Sequence, residues 1–167
     1  VAGYDRLFSQ RRVLHLISSG GMFGAEQVIL NLAGRSQGAV VSLVGAIHNR
    51  HNPHLELVDE ARRRGIQAVA FESNGRFDFR TAARVKKFMQ AEGIDVLHTH
   101  NYKSDIVGFW ASRGTAVKWM ATNHVWHSTD PKLRLYETID AWVLRSARKV
   151  IGVSEEIRTD LVKKNFS

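Results

Sequence analysis

Cysteine is absent from the 167 residues, and proline occurs only twice. Without cysteine the chain can form neither disulfide bonds nor thiolate metal sites, which is compatible with a reducing compartment. No apolar run approaches the length needed to span a bilayer, and the first residues do not follow a signal-peptide pattern. These absences favour a globular domain that is stabilised by an apolar core.

Two common nucleotide-binding motifs are also missing. The sequence has no Gly-x-x-x-x-Gly-Lys-Ser/Thr segment, which disfavours a P-loop kinase or ATPase. Gly20, Gly21 and Gly24 lack the Gly-x-Gly-x-x-Gly spacing, and no acidic residue ends the apolar run at 39–46 to hold a ribose. An ordinary NAD site is therefore not expected.

Positive charge is in excess, with 24 Lys and Arg against 16 Asp and Glu, so the formal net charge is +8. Such a chain favours anionic partners, namely phosphorylated metabolites, an anionic membrane surface or nucleic acid. The basic residues are dispersed over predicted helices, where a solvated face is the simpler explanation. Because no RNA-recognition or zinc-finger signature accompanies them, nucleic acid is disfavoured.

Short apolar runs alternate along the chain with amphipathic segments of helical period. The apolar runs predict strands at 13–17, 39–46, 66–71, 95–99, 117–123 and 149–153. The amphipathic segments predict helices at 25–35, 54–64, 79–92, 105–112, 132–146 and 155–164. This alternation predicts an α/β fold, a Rossmann-like, doubly wound three-layer sandwich with a mostly parallel sheet of about six or more strands. Residues 1–12 are predicted as an N-terminal tail and residues 13–167 as one domain.

Ligands of such sheets bind beyond the carboxyl ends of the strands, which here selects the segments 18–24, 98–104 and 123–131. The first segment is rich in glycine and precedes a helix, so its backbone amides and the helix dipole favour a phosphate group. The alternative is that glycine serves only the tight turn. Glu26, in the first helical turn, is explained by the same dipole.

Four segments, in register with the predicted elements, resemble one known family: HLISSGGMFGAEQVILNLA (15–33), DVLHTHNYKSDIVG (95–108), ATNH (121–124) and VIGVSEEIRTDLV (150–162). They resemble the N-terminal domain of family-4 glycosyltransferases of the GT-B architecture. The resemblance implies a retaining, nucleotide-sugar-dependent enzyme whose N-terminal domain shapes the acceptor site, while a C-terminal domain binds the donor. No segment matches the Glu-x7-Glu motif of that second domain. We therefore expect the donor-binding domain to be absent from this chain and the chain to be inactive alone.

The resemblance also assigns site residues. It implies that His124 is the catalytic contact near the transferred sugar, and that a loop of Gly20, Gly21 and Met22 closes over the donor diphosphate. Acceptor binding is expected from a larger group: His100, Asn101, Tyr102, Lys103, Trp126 and His127. His98 and His100 point to one face if the strand continues. A metal site would need further convergent ligands and GT-B enzymes usually need no metal, so none is expected.

The resemblance also implies the substrates and the location of the protein. The donor is a nucleotide sugar of the UDP or GDP type, which acts as a substrate, and no cofactor is expected. The acceptor is a glycan or glycolipid of cell-envelope synthesis, and the protein is expected in the cytoplasm, with peripheral contact to an anionic membrane at its inner face. The alternative functions are a non-catalytic Rossmann-like binding or assembly module, and a nucleotide-binding regulatory domain.

Overall fold

The apolar runs form one parallel sheet in a computed structural model, which describes residues 10–36, 38–75, 78–123, 138–139 and 141–163. Its strands are β1 (Arg11–Ser18), β2 (Val40–Asn49), β3 (Ala68–Ser73), β4 (Val96–Thr99), β5 (Lys118–Asn123) and β6 (Lys149–Gly152). Their order across the sheet is β3-β2-β1-β4-β5-β6, and every neighbouring pair is parallel. The predicted Rossmann-like, doubly wound sheet is confirmed.

Helices connect the strands. They are α1 (Gly24–Arg35), α2 (Glu56–Arg63), α3 (Phe79–Ala91), α4 (Tyr102–Ser112) and α5 (Glu155–Lys163), and residues 141–144 are also helical. Asp78 and Ser154 cap α3 and α5, because Asp78 accepts a hydrogen bond from Arg80 N and Ser154 accepts one from Ile157 N. Within the described ranges, no helix is both long and apolar enough to cross a bilayer.

Several predicted boundaries are wrong: β1 begins at Arg11, inside the predicted tail, and β3 lies at Ala68–Ser73 rather than at 66–71. Two further differences have identifiable reasons. The strand predicted at 39–46 is too short: β2 continues through His48 because it pairs with β3 as far as Asn49 opposite Ser73. The helix predicted at 105–112 begins earlier, at Tyr102, since Asn101 rather than a later residue caps it. Most of the helix predicted at 132–146 lies outside the described residues.

The core lies on both faces of the sheet because successive side chains of β1 point to opposite sides. Leu14 and Leu16, both fully buried, belong to the larger apolar cluster with residues of α3 and α4. Ile17 belongs to a second cluster with residues of α1 and α2, such as Leu30 and Leu57. Burial of one such side chain contributes about 1.5–3 kcal/mol, so both helical layers are held firmly to the strands.

Gly108 allows α4 to approach the sheet closely. A Cβ atom at this position would lie 2.7 Å from the Thr99 methyl group and 3.2 Å from the indole nitrogen of Trp119. That nitrogen donates a 3.0 Å hydrogen bond to the Thr99 hydroxyl, so neither neighbour is free to withdraw. The glycine therefore fixes the height of α4 over the strands and, with it, the position of the residues that precede the helix.

Candidate functional site at the junction of β1 and β4

The direction of winding reverses between β1 and β4, which are neighbours in the centre of the sheet. β1 leads into α1 and β4 leads into α4, so the N-termini of both helices flank this junction. Doubly wound sheets bind their ligands at such a reversal point. Two of the three predicted segments, 18–24 and 98–104, meet here, whereas the third leaves the described residues after Asn123.

The side chain of Asn101 joins the two halves of the junction. Its Nδ2 donates a 2.9 Å hydrogen bond to the carbonyl oxygen of Ser18, at the end of β1. Its Oδ1 accepts a 3.1 Å hydrogen bond from the backbone N–H of Ser104 and caps α4. One side chain therefore fixes both the exit of β1 and the start of α4.

Ser104 completes this turn from the other side. Its hydroxyl accepts hydrogen bonds from the backbone N–H groups of His100 and Asn101, at 3.1 and 3.0 Å, and donates one to Asn101 O at 2.8 Å. Its side chain is completely buried. Because these backbone groups are paired within the protein, the turn after β4 has a defined shape before any ligand binds.

The glycine-rich loop after β1 is held by Glu26. The carboxylate of this buried residue accepts hydrogen bonds from the backbone N–H of Phe23 at 3.1 Å and lies 3.1 Å from the Ser19 hydroxyl. The Ser19 hydroxyl also lies 2.9 Å from the carbonyl oxygen of Gly21. Glu26 therefore anchors both ends of the loop, a role that the helix dipole alone did not predict.

The two adjacent glycines of the loop have different constraints. Gly21 has a φ of +143°, and a Cβ there would lie 3.0 Å from the Phe23 ring. A side chain at Gly21 is therefore strained by the backbone itself. Gly20, in contrast, is exposed and a Cβ atom there would meet no other atom within 4 Å. Nothing in the described fold requires glycine at position 20.

Beneath the junction, three histidines lie together. Nδ1 of His15 is 3.2 Å from Nε2 of His100, and the His98 ring centroid is 4.1 Å from that of His100. All three side chains are buried, with His100 only 1% exposed. Burial, reinforced by the nearby His98, lowers the pKa of His15 to about 3, so this imidazole is neutral at neutral pH.

His15 was missed by sequence reasoning. It interrupts an apolar run in β1, and its place beside His98 depends on the register of two strands that are 83 residues apart in sequence. The only signal in the sequence was a polar residue within a buried strand. That His15 lies beside His98 could be inferred only once β1 and β4 were known to be neighbours. β4 ends at Thr99, so the predicted condition that the strand continues through His100 is not met, yet the rings of His98 and His100 are in contact.

The structure places the other predicted site residues as follows. In the glycine-rich loop, Gly20 is exposed, whereas Gly21 and Met22 are half-buried. Asn101, Tyr102 and Lys103 are half-buried at the start of α4, and His100 is buried beneath them. His124, Trp126 and His127 lie outside the described residues.

The double role of Asn101 predicts a measurable loss of stability. Replacement by alanine (Asn101→Ala) removes a cap and a second hydrogen bond to Ser18, each worth about 1 kcal/mol, so the free energy of unfolding should fall by about 2 kcal/mol. Urea unfolding of the 167-residue chain measures this change. Asn101→Asp retains an acceptor for the cap but loses the donor, and should lie between alanine and the native residue.

The matched control is Ser154→Ala, which removes the cap of α5 at an exposed position with no bond to another strand. This substitution should lower the free energy of unfolding by no more than about 1 kcal/mol. If Asn101→Ala lowers the free energy of unfolding by no more than Ser154→Ala does, Asn101 does not connect β1 to α4 in the way described.

Several solved structures have the same fold as this chain. HepE from Anabaena, solved in complex with UDP, is 19% identical with a TM-score of 0.75, and the match covers 93% of this chain and 41% of HepE. A glycosyltransferase from Rickettsia africae is 16% identical with a TM-score of 0.70, covering 95% of this chain and 41% of that protein. A UDP-N-acetylglucosamine 2-epimerase is 11% identical with a TM-score of 0.66, covering 95% of this chain and 46% of the epimerase.

At these identities the likeness shows the fold alone, and the chain spans less than half the length of each solved protein. No curated protein sequence matches the chain at a significant level. A family model, described as Glycosyltransferase Family 4, matches residues 23–167. Because this match covers most of the sequence, the chain belongs to Glycosyltransferase Family 4.

Proposed function

We propose that this chain is the N-terminal, acceptor-binding domain of a retaining glycosyltransferase. The complete protein would transfer a sugar from a nucleotide sugar, of the UDP or GDP type, to a glycan or glycolipid acceptor. Family membership supports this proposal, as do the solved relatives that contain UDP and UDP-glucose. The donor would be presented by a second domain facing the junction of β1 and β4, because the solved relatives are more than twice as long as this chain.

The observation that carries the proposal is the glycine-rich loop at the strand-order reversal. The first N–H groups of α1 have no intrahelical backbone partner, as in any helix, and the side chain of the N-cap residue Phe23 bonds to none of them. Glu26 uses its carboxylate on Phe23 N–H and Ser19, so it shapes the loop from the protein side. Amides of Gly20, Gly21 and Met22 would then stabilise the charge that develops on the leaving diphosphate.

The start of α4 would form part of the acceptor surface. Asn101, Tyr102 and Lys103 are half-buried at this edge, where the ammonium group of Lys103 would meet a phosphate or carboxylate of the acceptor. His100 is buried below them, so we assign it the support of this surface rather than direct contact. Trp126 and His127 would complete the acceptor wall.

His124 directly follows β5 and is our candidate for the catalytic contact. It would orient the acceptor hydroxyl or bind the transferred sugar near its anomeric carbon. We assign no covalent nucleophile, since the leaving phosphate can assist the attack of the acceptor on the same face of the sugar.

In the complete two-domain protein, His124→Ala should lower kcat by about 100-fold or more, because a positioned group that acts in the transition state is lost. Steady-state transfer from the nucleotide sugar measures the effect, and thermal unfolding should be unchanged. His51→Ala, at an exposed loop position, is the matched control and should retain full turnover. Near-normal turnover of His124→Ala would remove this residue from the catalytic site.

The protein would act in cell-envelope synthesis in the cytoplasm, in peripheral contact with an anionic membrane. Exposed aromatic side chains support this contact: Phe79, Trp110 and Trp142 are 61%, 45% and 59% exposed, and the Phe109 ring contacts both tryptophans. Phe79 and Trp110 contact each other edge to face, and the guanidinium of Arg113 lies 5.9 Å from the Trp110 ring centroid. Aromatic rings beside a cation are typical of surfaces that bind the headgroup region.

Flotation of the complete protein with vesicles tests the membrane contact. Binding is expected at low salt to vesicles that contain phosphatidylglycerol, and much less to vesicles of phosphatidylcholine alone. The double variant Trp110→Ser and Trp142→Ser should bind at least about tenfold more weakly, because interfacial aromatic area is lost. Val162→Ser, on an equally exposed apolar residue of α5, should bind normally. Absence of binding, or equal binding of the double variant, would contradict the proposal.

A further inference from the structure

The three buried histidines form the densest group of metal-ligating side chains in the part of the chain that the structure describes. His15 in β1 and His98 in β4 are directly opposite each other in the parallel register, and His100 follows two residues later. One ring nitrogen of each residue lies within 4.8 Å of the other two. Three ligands are thus brought together from two strands, where the sequence indicated two.

We propose that His15, His98 and His100 form a binding site for Zn²⁺ that links β1 to β4. Zinc–nitrogen bonds of 2.0–2.1 Å in tetrahedral geometry place the ligand nitrogens about 3.3 Å apart. Nδ1 of His15 and Nε2 of His100 are already 3.2 Å apart. All ligand nitrogens of the cluster lie within 4.8 Å of one another, so shifts of at most about 1.5 Å bring the three to the ideal separation.

The protonation pattern around the site suits metal binding. Ligand imidazoles must be neutral, and they normally donate their other N–H group to a partner that fixes the ring. Ser42 Oγ lies 3.4 Å from Nε2 of His15, so it can accept that proton when Nδ1 binds the ion. Thr122 Oγ1 lies 2.7 Å from Nε2 of His98 and orients the second ring.

The donor set selects the class of ion. Among the described residues this cluster contains three imidazoles and neither a carboxylate nor a thiolate. Such a set favours Zn²⁺ and the neighbouring transition metals over Mg²⁺ and Ca²⁺, which require oxygen ligands. Three histidines can hold a tetrahedral zinc ion, with the fourth position left to a water molecule.

The location indicates a structural role. The ion would lie beneath the turn that Asn101 and Ser104 shape, and it would hold β1 against β4 at the point where the sheet reverses its winding. This inference is independent of the proposed glycosyl transfer, because it needs neither donor nor acceptor. The earlier expectation of no metal depended on the lack of a third convergent ligand, which His15 supplies.

Metal binding to the EDTA-treated 167-residue chain tests the inference. One equivalent of Zn²⁺ should bind, and Co²⁺ should give the visible absorption of a tetrahedral site, while Mg²⁺ should not compete. His100→Gln should weaken Zn²⁺ binding by at least about 100-fold, because one of three protein ligands is lost. The matched control, His54→Gln, alters a histidine outside the cluster and should change the affinity less than threefold.

A second pair of variants keeps the test decisive if His100→Gln does not fold. Thr122→Val and Ser42→Ala leave all three ligands in place but remove the partners of His98 and His15, and each should weaken Zn²⁺ binding by about 10-fold or more. Zinc should also raise the unfolding temperature of the native chain, since it binds only the folded site. Absence of Zn²⁺ binding, or binding that none of these three variants weakens, would overturn the inference.

Discussion

The side-chain amide of Asn101 connects two parts of the chain that are distant in sequence, the exit of β1 and the first turn of α4. The amide is suited to this task because it carries both a donor and an acceptor. Its N–H group donates a hydrogen bond to the carbonyl of Ser18, and its oxygen accepts one from an N–H group that the helix leaves unpaired. The two segments that flank the centre of the sheet are therefore fixed relative to each other by one residue.

The rest of the junction is built around this connection. Above it, Glu26 holds the glycine-rich loop from the protein side, so that backbone amides rather than a charged side chain are available at the helix N-terminus. Below it, the three histidines lie together, with His15 of β1 directly opposite His98 of β4. Gly108 keeps α4 close to the sheet and thereby sets the height of the turn that Asn101 begins. We infer that this arrangement forms one side of a cleft, whose other side would come from a second domain.

The order of the strands in the sheet was the main feature that the sequence could not supply. Apolar runs predicted all six strands, because a strand buried on both faces is apolar throughout. The start of a helix was harder to predict than its existence. Ser104 and Asp105 are both of types that cap helices, yet Asn101 is the cap of α4, and the bond from its Nδ2 to Ser18 O holds it in place. His15 beside His98 and the bond of Glu26 to Ser19 depend on contacts that no local pattern encodes.

The central claim is that the loop after β1 approaches the diphosphate of a donor held by another domain. Gly20→Ala tests it most directly, because the added methyl group meets no atom of this domain within 4 Å and should leave its stability unchanged. Steady-state transfer by the complete two-domain protein is the measurement. We expect a fall of at least about tenfold in kcat/KM for the nucleotide sugar, equivalent to about 1.4 kcal/mol of transition-state stabilisation, with an unaltered unfolding temperature. An unchanged kcat/KM would show that the loop does not approach the donor.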